Sequence, residues 1–212
     1  MKAVLATSRL LGADERTIKA RSLISFVQGL ERLKNETRHA WTSTGRRESI
    51  AEHSWRLAMF ALVLEPEFPV VDMNRVVRML LVHDLGEAVE GDVSAKYENA
   101  TPEEKLRREE DALRELLREL ESPARGEIVD LWEEYNRADT DEARMAKALD
   151  KLETIIQHNQ GANPEEFDYE FNLAYGAALT DAFSLLAAIR EELDNATRGR
   201  MGDPSEGRGP GA

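Results

Sequence analysis

The chain has 212 residues, 42% of them hydrophobic, which is enough for one good-sized core, and nothing in its length demands two domains. Lys and Arg number 28 against 41 Asp and Glu, and the formal net charge of -13 argues against general attraction to nucleic acid polymers or anionic membranes, so an anionic ligand needs locally placed cations. The absence of cysteine excludes disulfides, thiolate metal sites and a cysteine nucleophile, and the longest apolar run, Leu57 to Leu64, falls far short of the roughly 20 residues that span a bilayer.

Residues 1–15 show no clear period and read as an irregular lead-in whose apolar start stops at Arg9, too early for a signal peptide. From Glu15 to Lys34, Ile18, Leu23, Phe26, Val27, Leu30 and Leu33 recur mostly at three- and four-residue spacings, the stripe of an amphipathic helix. Asn35 to Glu48 reads as a cation-bearing loop with Arg38, His39, Trp41, Arg46 and Arg47. Ser49-Ile50-Ala51-Glu52 matches a capping box, so a second helix starts there and runs to about Glu65. Asp72 can cap a third helix, Met73 to about Asp84. Leu85 to Ala100 has two glycines and few regular spacings, as expected of a functional loop.

Thr101-Pro102-Glu103 opens a highly charged helix, Glu103 to Glu121, and Ser122-Pro123 opens another that ends near Ala138. Asp139 or Thr140 caps a further helix to about Asn159, with Met145, Leu149, Leu152, Ile155 and Ile156 inward. After Gly161 to Pro164 comes a last helical pattern, about Glu165 to Leu193. Residues 195–212 are rich in Gly and Pro and read as a disordered tail. No stretch alternates with period two, so the fold class is all-α, with one helical domain over 16–194.

The chemistry concentrates at His83-Asp84-Leu85-Gly86-Glu87, where an apolar helical run ends in an imidazole and two carboxylates. Polar groups are expensive to bury unpaired. His83 and Asp84 can share one metal ion, with Glu87 a turn further on to handle a proton. His53 sits at the fourth position after the second helix's cap. Alone it is most simply a satisfied core or surface histidine, but antiparallel packing of its helix against the next can bring it beside His83-Asp84. His158, near a helix C-terminus, fits a cationic imidazole facing the helix dipole and receives no catalytic part.

The order His53, then His83-Asp84, then an Asp inside a later helix, Asp150, resembles the H...HD...D signature of the HD-domain metal-dependent phosphohydrolases. More narrowly, Ser49-Ile50-Ala51-Glu52-His53-Ser54, His83-Asp84-Leu85-Gly86-Glu87-Ala88, Glu90-Gly91-Asp92 and Leu149-Asp150-Lys151 are similar to the branch that contains the 5′-deoxynucleotidases, over about residues 20 to 180. The resemblance implies an HD helical bundle with one divalent ion held by His53, His83, Asp84 and Asp150. Asp150 enters on the resemblance alone, since periodicity favours a solvent-facing Asp there. Two imidazoles and two carboxylates with open water positions suit Mn, Co, Fe, Ni or Mg, with Zn less natural without thiolates.

The resemblance further implies that Glu87 orients the attacking water, that Asp92 positions water or contacts the sugar, and that Arg38 clamps the phosphate, with Arg46 and Arg47 as competing cations. Where some deoxynucleotidases carry Trp directly after that arginine, this chain has His39, and Trp41 two positions later is the candidate stacking surface for substrate. The expected reaction is metal-dependent hydrolysis of a nucleoside 5′-monophosphate, preferably the deoxy form, to nucleoside and phosphate. Another small phosphate ester or diester, or a non-catalytic nucleotide-binding module, are the alternatives. HD relatives with two metals carry additional histidines between the HD pair and the last Asp, and since none lies between His83 and His158 the resemblance implies a single-metal centre. The expected partners are this small molecule and a second copy of the chain in a homodimer, and the expected compartment is the cytoplasm.

Overall fold

The computed structural model describes residues 12–90 and 100–201. These are helical apart from one hairpin. In chain order they form α1 (Ala13–Gly29), α2 (Arg32–Asn35), β1 (Thr37–Trp41), β2 (Arg47–Ser49), α3 (Ile50–Leu64), α4 (Met73–Val82), α5 (Glu87–Glu90), α6 (Pro102–Leu116), α7 (Ala124–Arg137), α8 (Asp141–Gln160), α9 (Glu170–Ala174), α10 (Ala177–Thr180) and α11 (Ser184–Met201). One hydrophobic cluster runs through them, with Leu57 from α3, Met79 and Leu80 from α4, and Leu149 and Leu152 from α8 at its centre. α8 is the axis of the bundle: α3, α4, α7 and α11 all pack on it, and α3 packs on α4.

The local signals account for most boundaries. Ser49 Oγ accepts from the amide of Glu52 at 3.2 Å while Glu52 returns a carboxylate to the Ser49 amide at 2.9 Å, which completes the capping box and starts α3 at Ile50. Asp72 caps α4 by accepting from the Arg75 amide, and Thr140, rather than Asp139, caps α8 by accepting from Ala143. Ala138 takes a left-handed conformation (φ 52°) and ends α7.

Three expectations need correction. The segment expected to be a loop, 35–48, forms the antiparallel hairpin β1–β2, with Thr37 opposite Ser49 and Trp41 opposite Arg47; its short strands are too charged for an apolar alternation to show. The pattern expected as one helix over 165–193 divides into α9, α10 and α11, interrupted where Gly176 adopts a φ of 68°. α11 also runs through Asn195, into the stretch expected to be disordered. Thr197 is fully buried and donates to Asn159 Oδ1 at 3.0 Å, and Arg200 donates to the Gly161 carbonyl at 2.9 Å, so polar anchors hold a turn that composition alone gives no reason to expect. Residues 202–212 of that tail, and residues 1–11 of the lead-in, lie outside the described residues.

Candidate metal centre

Three helices deliver the polar cluster. The α3 cap places His53 one turn in, facing α8, and its side chain is 0% exposed. α4 ends at Val82, with His83 as its C-cap, so His83 and Asp84 leave the helix where it meets α8. Asp150 lies midway along α8 and is buried, against the solvent-facing position that periodicity suggests.

His53 Nε2 lies 3.2 Å from Asp150 Oδ1 and 3.9 Å from Asp84 Oδ2; His83 Nε2 lies 3.1 Å from Asp84 Oδ2 and 4.0 Å from Asp150 Oδ1. Ligands about 2.1 Å from a six-coordinate ion stand about 3.0 Å apart at right angles and about 4.2 Å apart when opposed. These four His–Asp separations fall within that span, and His53, His83 and Asp150 bring donor atoms within 4.8 Å of one another.

Both Nε2 atoms are buried with no hydrogen-bond partner, a costly condition that a cation resolves. The remaining atoms of these side chains are held. His83 Nδ1 is 3.0 Å from the Leu80 carbonyl, His53 Nδ1 is 2.5 Å from Glu153 Oε2, and Asp150 Oδ2 accepts from Tyr135 at 2.9 Å and from Lys151 at 2.8 Å. Orienting partners on every imidazole and a shared set of N and O donors fit a divalent ion. Burial and Arg38 oppose protonation of His53, but Glu153 and Asp150 outweigh them and raise it to about 9. Burial likewise opposes ionisation of Asp84, yet His83 and His53 hold it at about 2.

A second grouping, Glu48, His53 and Glu153, lies behind His53. Its centre is filled by a guanidinium: Arg38 Nη1 is 2.9 Å from Glu48 and 3.6 Å from Glu153, and Nη2 donates to Thr154 at 2.9 Å. It is an ion-pair network rather than a cation site.

A cavity of about 250 Å³ opens over the centre, lined by Arg38, His83, Asp84, Glu87, Lys105, Glu109, Tyr135, Asn136, Lys147, Asp150, Lys151 and Tyr175. Glu87 and Arg38 are thus at the site. Gly86 lets Glu87 get there, because a Cβ at Gly86 would stand 2.6 Å from the Glu109 carbonyl of α6. Trp41 is not brought to the cavity. Strand β1 is irregular between Thr37 and Trp41, and while Arg38 lines the cavity, neither His39 nor Trp41 does. Their rings meet at 4.9 Å, and both pack on Phe167.

Arg46 is paired with Glu52, and Arg47 donates to the Arg38 carbonyl, so neither competing cation lies in the cavity. His158 is buried against Asn172 at 2.7 Å, and burial lowers it to about 4; it is neutral, not the dipole-facing cation expected of it. Asp92 falls outside the described residues.

Missing from the expected set are Glu153 and the lysines. Lys151 bonds Asp150 and, at 3.0 Å, the Tyr175 hydroxyl; burial opposes its charge, but Asp150 and Tyr175 outweigh burial and keep it protonated. Its stem lies against Gly176, where an added Cβ would sit 2.4 Å from Lys151 Cγ. Lys147 hangs 4.3 Å from the Tyr135 ring centroid, and burial, with Lys151 beside it, pushes its ammonium down. Lys147, Asp150, Lys151 and Thr154 share three- and four-residue spacing, so a polar stripe beside the apolar one on α8 is the signal that could have found them.

Comparison with known proteins agrees with this geometry. A profile described as HD domain matches residues 30–189. The chain is 37% identical over 143 residues to 5′-deoxynucleotidase HDDC2 of Homo sapiens, covering 66% of this chain and 69% of that protein, and 34% identical over 145 residues to 5′-deoxynucleotidase hdd1 of Schizosaccharomyces pombe, covering 66% and 72%. A crystal structure of a predicted metal-dependent phosphohydrolase from Magnetospirillum magnetotacticum superposes with a TM-score of 0.73 at 30% identity, covering 85% of this chain and 96% of that one.

Proposed function

The chain belongs to the HD-domain family, and from that premise we propose that it hydrolyses nucleoside 5′-monophosphates, the deoxy forms foremost, to nucleoside and phosphate. The observation that carries this reading is the convergence of two orphaned, buried Nε2 atoms and two carboxylates at the floor of a cavity whose charges balance. Asp84, Glu87, Glu109 and Asp150 face Arg38, Lys105, Lys147 and Lys151. A dication added to that floor leaves the cavity doubly positive, the complement of a phosphate monoester dianion, in a protein whose overall charge is -13.

A divalent ion at His53, His83, Asp84 and Asp150 would supply an acidified water and draw charge from the phosphoryl oxygens. The chain's own groups do the rest. Arg38 and Lys151, both lining the cavity, are the phosphate grips, and Lys147 adds charge beside them. Glu87 holds the proton of the attacking water, with its carboxylate one turn beyond Asp84. Asp92 is assigned to water or sugar by the family resemblance alone. The ion is Mn, Co, Fe, Ni or Mg on a donor set without thiolate, with Zn the less natural occupant. A homodimer fits the apolar face that α3 turns to solvent through Trp55, Met59, Leu62 and Val63. No helix among the described residues is long and apolar enough to cross a membrane.

The test is release of inorganic phosphate from a panel of ribo- and deoxynucleoside 5′-monophosphates, with Mn, Co, Ni, Mg or Zn added to ion-stripped protein. Phosphate release with at least one ion, strongest on deoxy substrates, is expected. Nucleotide binding with no release under any ion refutes the hydrolase.

A further inference from the structure

Of the two nitrogens that hold the back of the imidazoles, only His53 Nδ1 meets a carboxylate. Glu153 Oε2 is 2.5 Å away, and Glu153 is 1% exposed. Its other oxygen, Oε1, forms an ion pair with Arg56 Nε at 3.0 Å, and Arg38 Nη1 stands 3.6 Å from Oε2. Burying a carboxylate is costly unless it is paired, and two arginines recruited from β1 and α3 do that pairing.

The orientation of the proton follows from these contacts. Arg38 Nη1 also lies 2.8 Å from His53 Nδ1, and in principle could donate to it. That tautomer sets a nitrogen lone pair against the Glu153 carboxylate at 2.5 Å and aims an Nε2 hydrogen at Asp84 and Asp150. The other tautomer donates Nδ1–H to Glu153, leaves Arg38 to donate to Glu48 and Thr154, and turns the Nε2 lone pair toward the two aspartates.

We propose that Glu153 is a positioning residue for the metal centre: its carboxylate takes the Nδ1 hydrogen of His53, fixes that tautomer, and aims Nε2 at the space shared with His83, Asp84 and Asp150. The proposal rests on reading that space as a divalent-ion site. Glu153 itself touches neither the ion nor the substrate. Outer carboxylates of this kind typically change metal affinity by about 10- to 100-fold when replaced.

The experiment measures Mn2+ affinity of the full chain by competition with a chelator, for the parent, Glu153→Gln and Glu153→Ala, beside thermal unfolding of the ion-free proteins. Glu153→Ala removes the acceptor, and a 10- to 100-fold weaker Mn2+ affinity is expected; Glu153→Gln keeps the shape and an acceptor oxygen but not the charge, and should fall between Glu153→Ala and the parent with near-parental ion-free unfolding. Mn2+ affinity of Glu153→Ala within twofold of the parent, whatever happens to unfolding, overturns the proposal and leaves Glu153 a plain ion-pair anchor. Should the variants not fold, nitrogen-15 NMR of the Zn2+-loaded parent decides: a hydrogen on His53 Nδ1 is expected, and a hydrogen on Nε2 overturns it. A parent that takes up no divalent ion overturns both this role and the metal reading. Because ion uptake is read without substrate, failure to turn over nucleotides bears only on the proposed reaction.

Discussion

His53 and His83 face one cavity from two helices, yet they are held by unlike means. His83 is oriented by a main-chain carbonyl three residues upstream, Leu80, which no substitution at position 80 removes. His53 is oriented by side chains: Glu153, a hundred residues away in sequence, with Arg38 and Arg56 around it. The difference teaches that one wall of the centre is set by helix geometry and the other by a buried charge network. The first is robust and local; the second can be tuned one side chain at a time.

The largest effects should ignore that difference. His83→Ala and Asp150→Ala each remove a donor from the floor, and both should lose bound ion on gel filtration together with about a thousandfold or more of phosphate release. A folded variant that keeps its ion stoichiometry removes that residue from the ligand set.

His158 sharpens the contrast, because it is a third buried histidine on the same helix as Glu153 but has an amide partner instead of a carboxylate. His53, beside Glu153 and Asp150, is raised to about 9; His158, beside Asn172, is lowered by burial to about 4. A folded-state value below the ordinary 6.5 means that the unfolded chain takes its proton first as pH falls. Stability is therefore full above about pH 6.5 and declines toward pH 4, by about 3 kcal/mol from this group. His158→Gln should shrink the difference between denaturant midpoints measured at pH 7 and pH 4.5. An unchanged difference means that His158 is not the group responsible.

Arg38→Ala tests the tunable wall. Arg38 lines the cavity and braces the network behind His53, so its loss should lower kcat/KM by about a hundredfold and weaken ion affinity as well. Full activity would move the phosphate grip entirely to the lysines. The smallest effect belongs to Trp41, on the same strand but outside the cavity lining: Trp41→Leu should lower the unfolding temperature by several degrees while KM stays within about twofold. A large rise in KM with unchanged stability would return Trp41 to the substrate.

The same contrast explains what could be read from the sequence. His83-Asp84-Leu85-Gly86-Glu87 is legible because an apolar helix ending in acid and imidazole is anomalous within a few residues. His53 is legible because Ser49 and Glu52 fix where its helix starts, and so which face it occupies. Asp150 required family resemblance, since α8 is buried on more than one side and its polar stripe looks like a solvated face. Glu153 was illegible, because a contact across a hundred residues leaves no periodic trace. Trp41 is a candidate stacking surface on the family resemblance, and with 35–48 read as a loop nothing in the sequence separates its side chain from that of Arg38.

Gly176 carries one more consequence. Its left-handed turn presses α10 against the methylene stem of Lys151, so closely that even a methyl group would collide. A free lysine loses on the order of 2 kcal/mol of rotamer entropy when a ligand pins it. Here the backbone has confined the stem during folding, and much of that loss precedes the arrival of any phosphate. The reach of this ammonium is thus written in a residue with no side chain, and altering position 176 would retune the cavity's grip without changing a single charge.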